Sequence, residues 1–498
     1  MYLGLDLGTS GLKAIILDDQ GLVIAQANTA LTVQTPHPLW SEQEAEDWWL
    51  ACKQSILSLA EQGHDLSKIK SIGVAGQMHG ATLLDGQNNV LRPAILWNDG
   101  RSAAQCVTLK QREPNLEALS GNLAMPGFTA PKLLWVAENE PDIFAKTAKV
   151  LLPKDYLNFR LSGTFSSEMS DAAGTLWLNP ETRDWSDELL TATGLTRDNM
   201  PTLFEGHQVI GNLTASVAAE LGLPVVPVVA GAGDNAAGAI GVGVTDPGQA
   251  FISLGTSGVY FVVSDKHHAS PENTVHAFCH CLPNRWHQMS VMLSAAQSLS
   301  WFADLVKTEV GDLLAELDAS GLEETPILFL PYLSGERTPH NNPNAVGSFF
   351  GLTQGTSRAE MTLAVLQGVS FSFADGQDAL DAAGTPINDI TLIGGGARSA
   401  RWRQMLADVL NRPLTFREGG EVGPALGAAR LALLQSKQSE HGITDNSDAF
   451  NTLVAEICPA PSIVAEHRPD LVKHQKYQQK LNEYRALYQQ TRSIQRIQ

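Results

Sequence analysis

Asp234 lies in Gly231-Ala232-Gly233-Asp234-Asn235-Ala236, after an apolar run (225–230) and at the start of a small-residue helix (235–241). A carboxylate at a strand-to-helix turn, with glycines leaving room beside it, is placed to act on a substrate; the plainer alternative is a helix N-cap. The same letters fit the GxGxxA dinucleotide fingerprint, but the nearby acid, Asp246, comes too early for it. A second feature is a duplication. Leu7-Gly8-Thr9-Ser10-Gly11 recurs letter for letter as Leu254-Gly255-Thr256-Ser257-Gly258, at an offset of 254 − 7 = 247. Backbone N–H groups converge in such turns, so two of them facing each other would hold a polyphosphate from both sides. Asp6 precedes the first turn, where the second has Ser253.

Two further motifs end strands. Gly76-Gln77-Met78-His79-Gly80 puts polar side chains and a thioether where open α/β sheets bind ligands. Gly394-Gly395-Gly396-Ala397 strips side chains from another strand end, so a flat ligand can approach the backbone. The dipeptide Gly-Lys of a Walker A loop does not occur. His276, Cys279, His280 and Cys281 are grouped, but without the spaced pairs of a zinc site.

The elements that position these residues alternate in type. Residues 2–7, 12–17 and 22–27 read as strands around tight turns. A helix follows, with a capping box at Ser41 and Glu44 and a face of Trp48, Trp49, Cys52, Ile56 and Leu59. A strand at 69–75 leads into the Gln77-Met78-His79 motif. Later come a strand at 327–330, a helix capped by Ser357 and Glu360, a strand at 390–393 and a helix carrying Trp402, Met405 and Leu406. Pro424 suits the first turn of a last core helix, and the basic tail 473–496 reads as a solvated amphipathic helix. The class is α/β, in two related lobes, 1–245 and 246–498.

Composition bounds the partners. The chain has 498 residues, 34 basic and 53 acidic side chains and a net charge of −19, with 43% hydrophobic residues. That balance argues against nucleic acid, and no run approaches the ~18 apolar residues of a membrane span. The five cysteines are too few and too scattered for a disulfide framework. With no legible signal peptide, the expected location is the cytoplasm. The sequence leaves oligomeric state open, a homodimer included.

The order Asp6, first turn, second turn, Gly394–Ala397 resembles the phosphate and adenosine segments of actin/hexokinase-like ATPases. Residues 127–136 and 347–367 resemble the two signatures of the FGGY carbohydrate kinases. Residues 76–80, 97–101, 169–175 and 334–339 are similar to the xylulose-phosphorylating branch of that family, and the resemblance runs from Met1 to about Leu434. It implies a two-lobed actin/hexokinase-like (ribonuclease H-like) fold with a central cleft, and ATP-dependent, Mg²⁺-assisted phosphorylation of D-xylulose to its 5-phosphate. Asp234 would be the general base, and Met78, His79 and Asn235 would line the sugar. Asp6 would orient Mg²⁺ or its waters; Gly8, Thr9, Ser10, Gly255 and Thr256 would cradle phosphates; Gly395, Gly396 and Ala397 would back the adenosine. The alternatives are a kinase of another ketopentose or polyol, a non-catalytic ATP-gated binding protein, and a dinucleotide oxidoreductase resting on residues 231–236 alone.

Overall fold

The computed structural model of the chain describes residues 1–418, 423–445 and 447–494. It is built on two seven-stranded sheets. In the first, Tyr2–Leu7 pairs antiparallel with Gly11–Leu17 and parallel with Ser71–Gly76. In the second, Gln249–Leu254 pairs antiparallel with Gly258–Ser264 and parallel with Asp389–Ile393. The offsets of the two hairpins are 249 − 2 and 258 − 11, both 247, so the repeated letters mark a repeated structure.

The register carries the equivalence further. Asp6 stands opposite Ala75, and its counterpart Ser253 stands opposite Ile393. The chain leaving Ala75 runs Gly76-Gln77-Met78-His79, and the chain leaving Ile393 runs Gly394-Gly395-Gly396-Ala397. These two motifs therefore hold matching places in the two lobes, each at the carboxyl end of the strand parallel to the hairpin.

Both faces of the first sheet are covered, which is why its strands read as nearly unbroken apolar runs. Leu3, Leu5, Leu7, Leu12, Ala14 and Ile16 pack against Trp48, Cys52, Ile56 and Leu59 of the helix Ala45–Glu61. Tyr2, Ile15 and Leu17 face the other way, onto Ala236 and Ile240 of the helix Asp234–Gly241 and onto the helix Gly423–His441. That last helix lies close on the sheet because Gly4 and Gly73 are side-chain-free; a methyl on either would run into the carbonyls of Ala425 or Ala428. Arg430 fastens it by donating to the carbonyls of Ile240 and Gly241 at 2.8 and 3.1 Å. The 246–498 segment thus returns to the first sheet near its end.

Two sequence expectations need correction. No capping box forms at Ser41 and Glu44. Instead Glu42–Gln43 pairs with Ala94–Ile95, the helix begins at Ala45, and Glu44 makes no side-chain cap bond. A distant carboxylate prevails there, since the Ser41 N–H donates to Asp99 Oδ2 at 2.6 Å. The tail does form a helix, Leu471–Thr491, but its Leu481, Tyr484, Leu487 and Tyr488 are buried in the core of the second lobe. Tyr484 Oη lies 2.8 Å from Tyr332 Oη and 2.9 Å from Ser372 Oγ. The Ser357–Glu360 capping box is present, heading the helix Arg358–Ala382. Pro424 falls in the first turn of the helix Gly423–His441, whose cap lies outside the described residues.

Candidate active site

The carboxyl edge of the first sheet gathers the acidic residues. The short strand Ala232–Gly233 pairs parallel with Ser71–Gly76, putting Ala232 opposite Ala75. Asp6 lies opposite Ala75 from the other side. Asp6 and Ala232 are therefore in one row, two strand spacings or about 10 Å apart, and Asp234 follows immediately at the head of its helix. Burial first, then repulsion from Asp234, pushes the Asp6 carboxyl up to about 7, against the pull of Lys13. Lys13 is the residue opposite Asp6 across the hairpin. Burial likewise raises Asp234 to about 6, and hydrogen bonds from Asn235 oppose that rise.

The N-cap of the Asp234–Gly241 helix is Gly233, so Asp234 is not a cap. Its Oδ1 accepts from the Asn235 backbone N–H at 2.7 Å and from Asn235 Nδ2 at 2.9 Å, and no described donor reaches Oδ2. Behind it, the Gly233 N–H donates to Glu168 Oε1 at 3.0 Å. Glu168 also accepts from the Ser170 and Asp171 N–H groups, both at 2.8 Å, so one buried carboxylate caps a helix and holds the turn that carries Asp234. Gly231 has φ +82°, and a side chain there would collide with Val74, so close strand packing accounts for this glycine.

His79 is held from three sides. Its Nδ1 lies 2.6 Å from the Gly174 carbonyl, which can only accept, so Nδ1 carries the proton and Nε2 is left as an acceptor. Its carbonyl accepts from Lys132 Nζ at 2.9 Å, and its ring meets Phe128 edge-on at 4.8 Å. Burial, aided by the nearby Lys132 charge, keeps the imidazole well below its usual range and hence neutral. Met78 is buried beside it. A Cβ on Gly174 would stand 2.6 Å from the His79 ring and 2.8 Å from Met78 Cε, and one on Gly233 would stand 3.2 Å from Met78 Sδ. Both glycines clear space for the Met78-His79 pair.

The hairpin residues divide their duties. Thr9 Oγ1 donates to Gln77 Oε1 at 2.9 Å and accepts from Trp97 Nε1 at 3.0 Å, so its hydroxyl is a strut inside the lobe. Gln43 Nε2 supports the Thr9 carbonyl at 2.7 Å and Gln43 Oε1 accepts from Gln77. The Gly8 N–H is taken by the Gly11 carbonyl at 3.0 Å, while Ser10 is exposed. In the second lobe, the Gly255 and Thr256 carbonyls accept from Ala296 and Ala295. Gly394, at φ +93°, runs so close to this hairpin that a Cβ would lie 2.7 Å from the Leu254 carbonyl oxygen and 3.0 Å from Gly255 N. A Cβ on Gly395 would meet nothing within 4 Å, whereas Ala397 is buried.

A cavity of about 590 Å³ lies between the lobes, with Trp97, Asp99 and Gly127 on one wall and Thr256, Ser257, Glu336 and Arg337 on the other. Trp97, the donor to Thr9, thus faces the space that the second hairpin lines. Lys13, Glu168, Gly174 and Arg337 are additions to the site expected from sequence. A lysine inside the apolar run 12–17 is the signal for the first. The others need partners distant in sequence.

The model for the FGGY family of carbohydrate kinases, N-terminal domain, matches residues 1–241, and the C-terminal domain model matches residues 250–436. A xylulose kinase from Escherichia coli (strain K12) is 54% identical over 491 residues, covering 98% of this chain and 99% of the relative. One from Klebsiella pneumoniae is 56% identical over 472 residues, covering 94% of this chain and 95% of the relative. The crystal structure of a xyloylose kinase from Brucella ovis superposes with a TM-score of 0.91 at 46% identity, covering 99% of each chain. Two family domains in order across both halves, on a fold that repeats its hairpin about a cleft, leave one conclusion: this chain belongs to the FGGY family of carbohydrate kinases.

Proposed function

We propose that this chain transfers the γ-phosphoryl group of ATP to the terminal hydroxyl of an open-chain ketopentose, D-xylulose, giving the 5-phosphate, with Asp234 as the general base. The kinship just described supports the sugar and the nucleotide. The observation that carries the base is Asp234 itself: its Oδ1 is fixed by both Asn235 donors while Oδ2 is left to a substrate.

In the reaction the hydroxyl O–H breaks and its proton passes to Asp234. The hydroxyl oxygen bonds to the γ-phosphorus, and the bridging P–O bond breaks to release ADP. A carboxylate at about 6 is mostly ionised near neutral pH, yet basic enough to take a proton as the nucleophile commits. Such positioned base catalysis supplies on the order of 10²–10⁴-fold. His79 Nε2 accepts from a sugar hydroxyl, and Met78 forms the apolar wall beside it. The Ser10 turn and the Gly255-Thr256 turn present backbone N–H groups to the triphosphate from opposite lobes. Gly395, Gly396 and Ala397 back the adenosine beside the second turn.

Asp6 fits a hard cation, because it is a carboxylate at the carboxyl edge of the sheet to which no described group donates a hydrogen bond, with the charge of Asp234 nearby. Mg²⁺ held there with its waters and the phosphates would neutralise charge on the nucleotide. Water must be kept from the γ-phosphorus, and the cleft between two lobes supplies that by closing on the sugar.

A coupled ADP-release assay over ketoses, polyols and glycerol tests the assignment. D-xylulose is expected to give the highest kcat/KM, with the 5-phosphate as product. A preference for glycerol or another polyol, or ADP release that ignores the sugar, would contradict it.

A further inference from the structure

Among the described side chains lining the cleft cavity, Arg337 is the one cation, beside the carboxyls of Asp99 and Glu336. Neither carboxyl takes it. Asp99 is engaged by Arg101, through Nε at 2.9 Å and Nη2 at 2.7 Å. Glu336 Oε1 is turned onto the backbone, accepting the N–H groups of Leu293 at 2.9 Å and Arg337 at 2.8 Å. The Arg337 guanidinium makes no hydrogen bond to any described residue. It lies instead across the cleft over Trp97 of the first lobe, 5.9 Å from the ring centroid, with Nη2 3.1 Å from where a side chain on Gly127 would begin.

The guanidinium N–H donors are thus not spent on the protein and face the cavity, where an anion entering the cleft can take them. Burial lowers the guanidinium's hold on its proton, and its charge is felt at His79, on the sugar side of the cleft. Thr256 and Ser257 of the second hairpin line the same cavity. A triphosphate held by that hairpin would share this cavity with Arg337. The need for a cation is acute: the chain already carries −19, and it lacks the lysine of a Walker A loop.

We propose that Arg337 is a catalytic residue of the second lobe whose guanidinium binds the phosphoryl group in transit from ATP to the sugar. This rests on the kinase reading above. The bonds made and broken are those already given; the guanidinium keeps its protons and offsets the charge that spreads over the equatorial oxygens, an effect that is large in phosphoryl transfer.

The test compares Arg337→Gln, Arg337→Lys and Arg337→Ala with the wild-type enzyme. Arg337→Gln is expected to lower kcat about 10²–10³-fold, Arg337→Lys less, and added guanidinium ion to restore part of the activity of Arg337→Ala. The calorimetric Kd for ADP, which lacks the transferred group, should stay within about twofold in all three, which also shows that they are folded. A kcat within about threefold of wild type in Arg337→Gln overturns the proposal. So does an ADP affinity that falls as far as kcat, which would make Arg337 a diphosphate anchor, or a rise in the sugar KM alone, which would make it a sugar ligand. Wild-type enzyme that forms no ketose phosphate overturns the kinase reading and this proposal together; an active wild type beside an unimpaired variant overturns this proposal alone.

Discussion

Asp6 and Asp234 share one edge of the first sheet, two strands apart, and the charge of Asp234 helps to hold the Asp6 carboxyl at about 7. Two carboxylates this close, both pushed upward by burial, disfavour simultaneous ionisation. Under the proposed function that cost would be offset, with Mg²⁺ beside Asp6 bringing positive charge and a sugar hydroxyl giving its proton to Asp234.

The pH dependence follows from Asp234. The base must be ionised, so kcat/KM for the sugar is expected to fall about tenfold per unit below a pH near 6. Stability runs the other way. A carboxyl raised from 3.8 to about 6 by burial favours the folded state while protonated, and that contribution is lost as pH rises through 6. Asp234→Asn should therefore stabilise the ligand-free protein by roughly 2–3 kcal/mol at pH 8 and by little at pH 4, as read from urea titrations. Equal effects at both pH values would contradict the burial argument.

Gly174 tests the sugar pocket without removing a polar side chain. Its φ is −74°, so alanine suits the backbone, and only the collision with His79 and Met78 remains. Gly174→Ala is expected to cost about 1–3 kcal/mol and to raise the sugar KM tenfold or more, with the ATP KM within twofold. His79→Ala should show the same split. A shared rise in both constants would place His79 outside the sugar site.

On the nucleotide side, Gly395→Val puts a branched side chain where the structure has open space. The ATP KM should rise at least tenfold and the sugar KM should not. An unchanged ATP KM would move the adenosine away from this turn.

Glu168 probes the support of the base. Glu168→Gln turns a donor-bearing amide toward a group of N–H donors, so at least one of the bonds to Ser170, Asp171 or Gly233 is lost. A loss of about 1–3 kcal/mol is expected, with kcat reduced about tenfold and the sugar KM little changed. A KM effect larger than the kcat effect would mean that Glu168 shapes the pocket instead of holding Asp234.

Much of this arrangement is legible in the letters because its signals are local. Leu7–Gly11 and Leu254–Gly258 announce two equivalent hairpins, and glycines or polar residues directly after a strand mark ligand-facing edges. What is not local escapes. Asp99 takes the Ser41 N–H and cancels a capping box that the spelling supports. The stripe of Leu481, Tyr484 and Tyr488 is visible in the tail, but the surface that buries it is not. The resemblance likewise puts Thr9 among the residues that cradle phosphates, whereas Gln77 and Trp97, 68 and 88 residues away, make its hydroxyl a strut. Arg337 is a residue of a recognisable motif whose task depends on which carboxylates turn away from it.

The most direct measurement is turnover and sugar affinity of Asp234→Asn, made together. Asparagine keeps the shape and cannot take the hydroxyl proton, so kcat is expected to fall about 10²–10⁴-fold while the calorimetric Kd for D-xylulose stays within about threefold of wild type. A variant that still phosphorylates D-xylulose at a tenth of the wild-type rate would show that the proton leaves by another route, and that Asp234 is not the base.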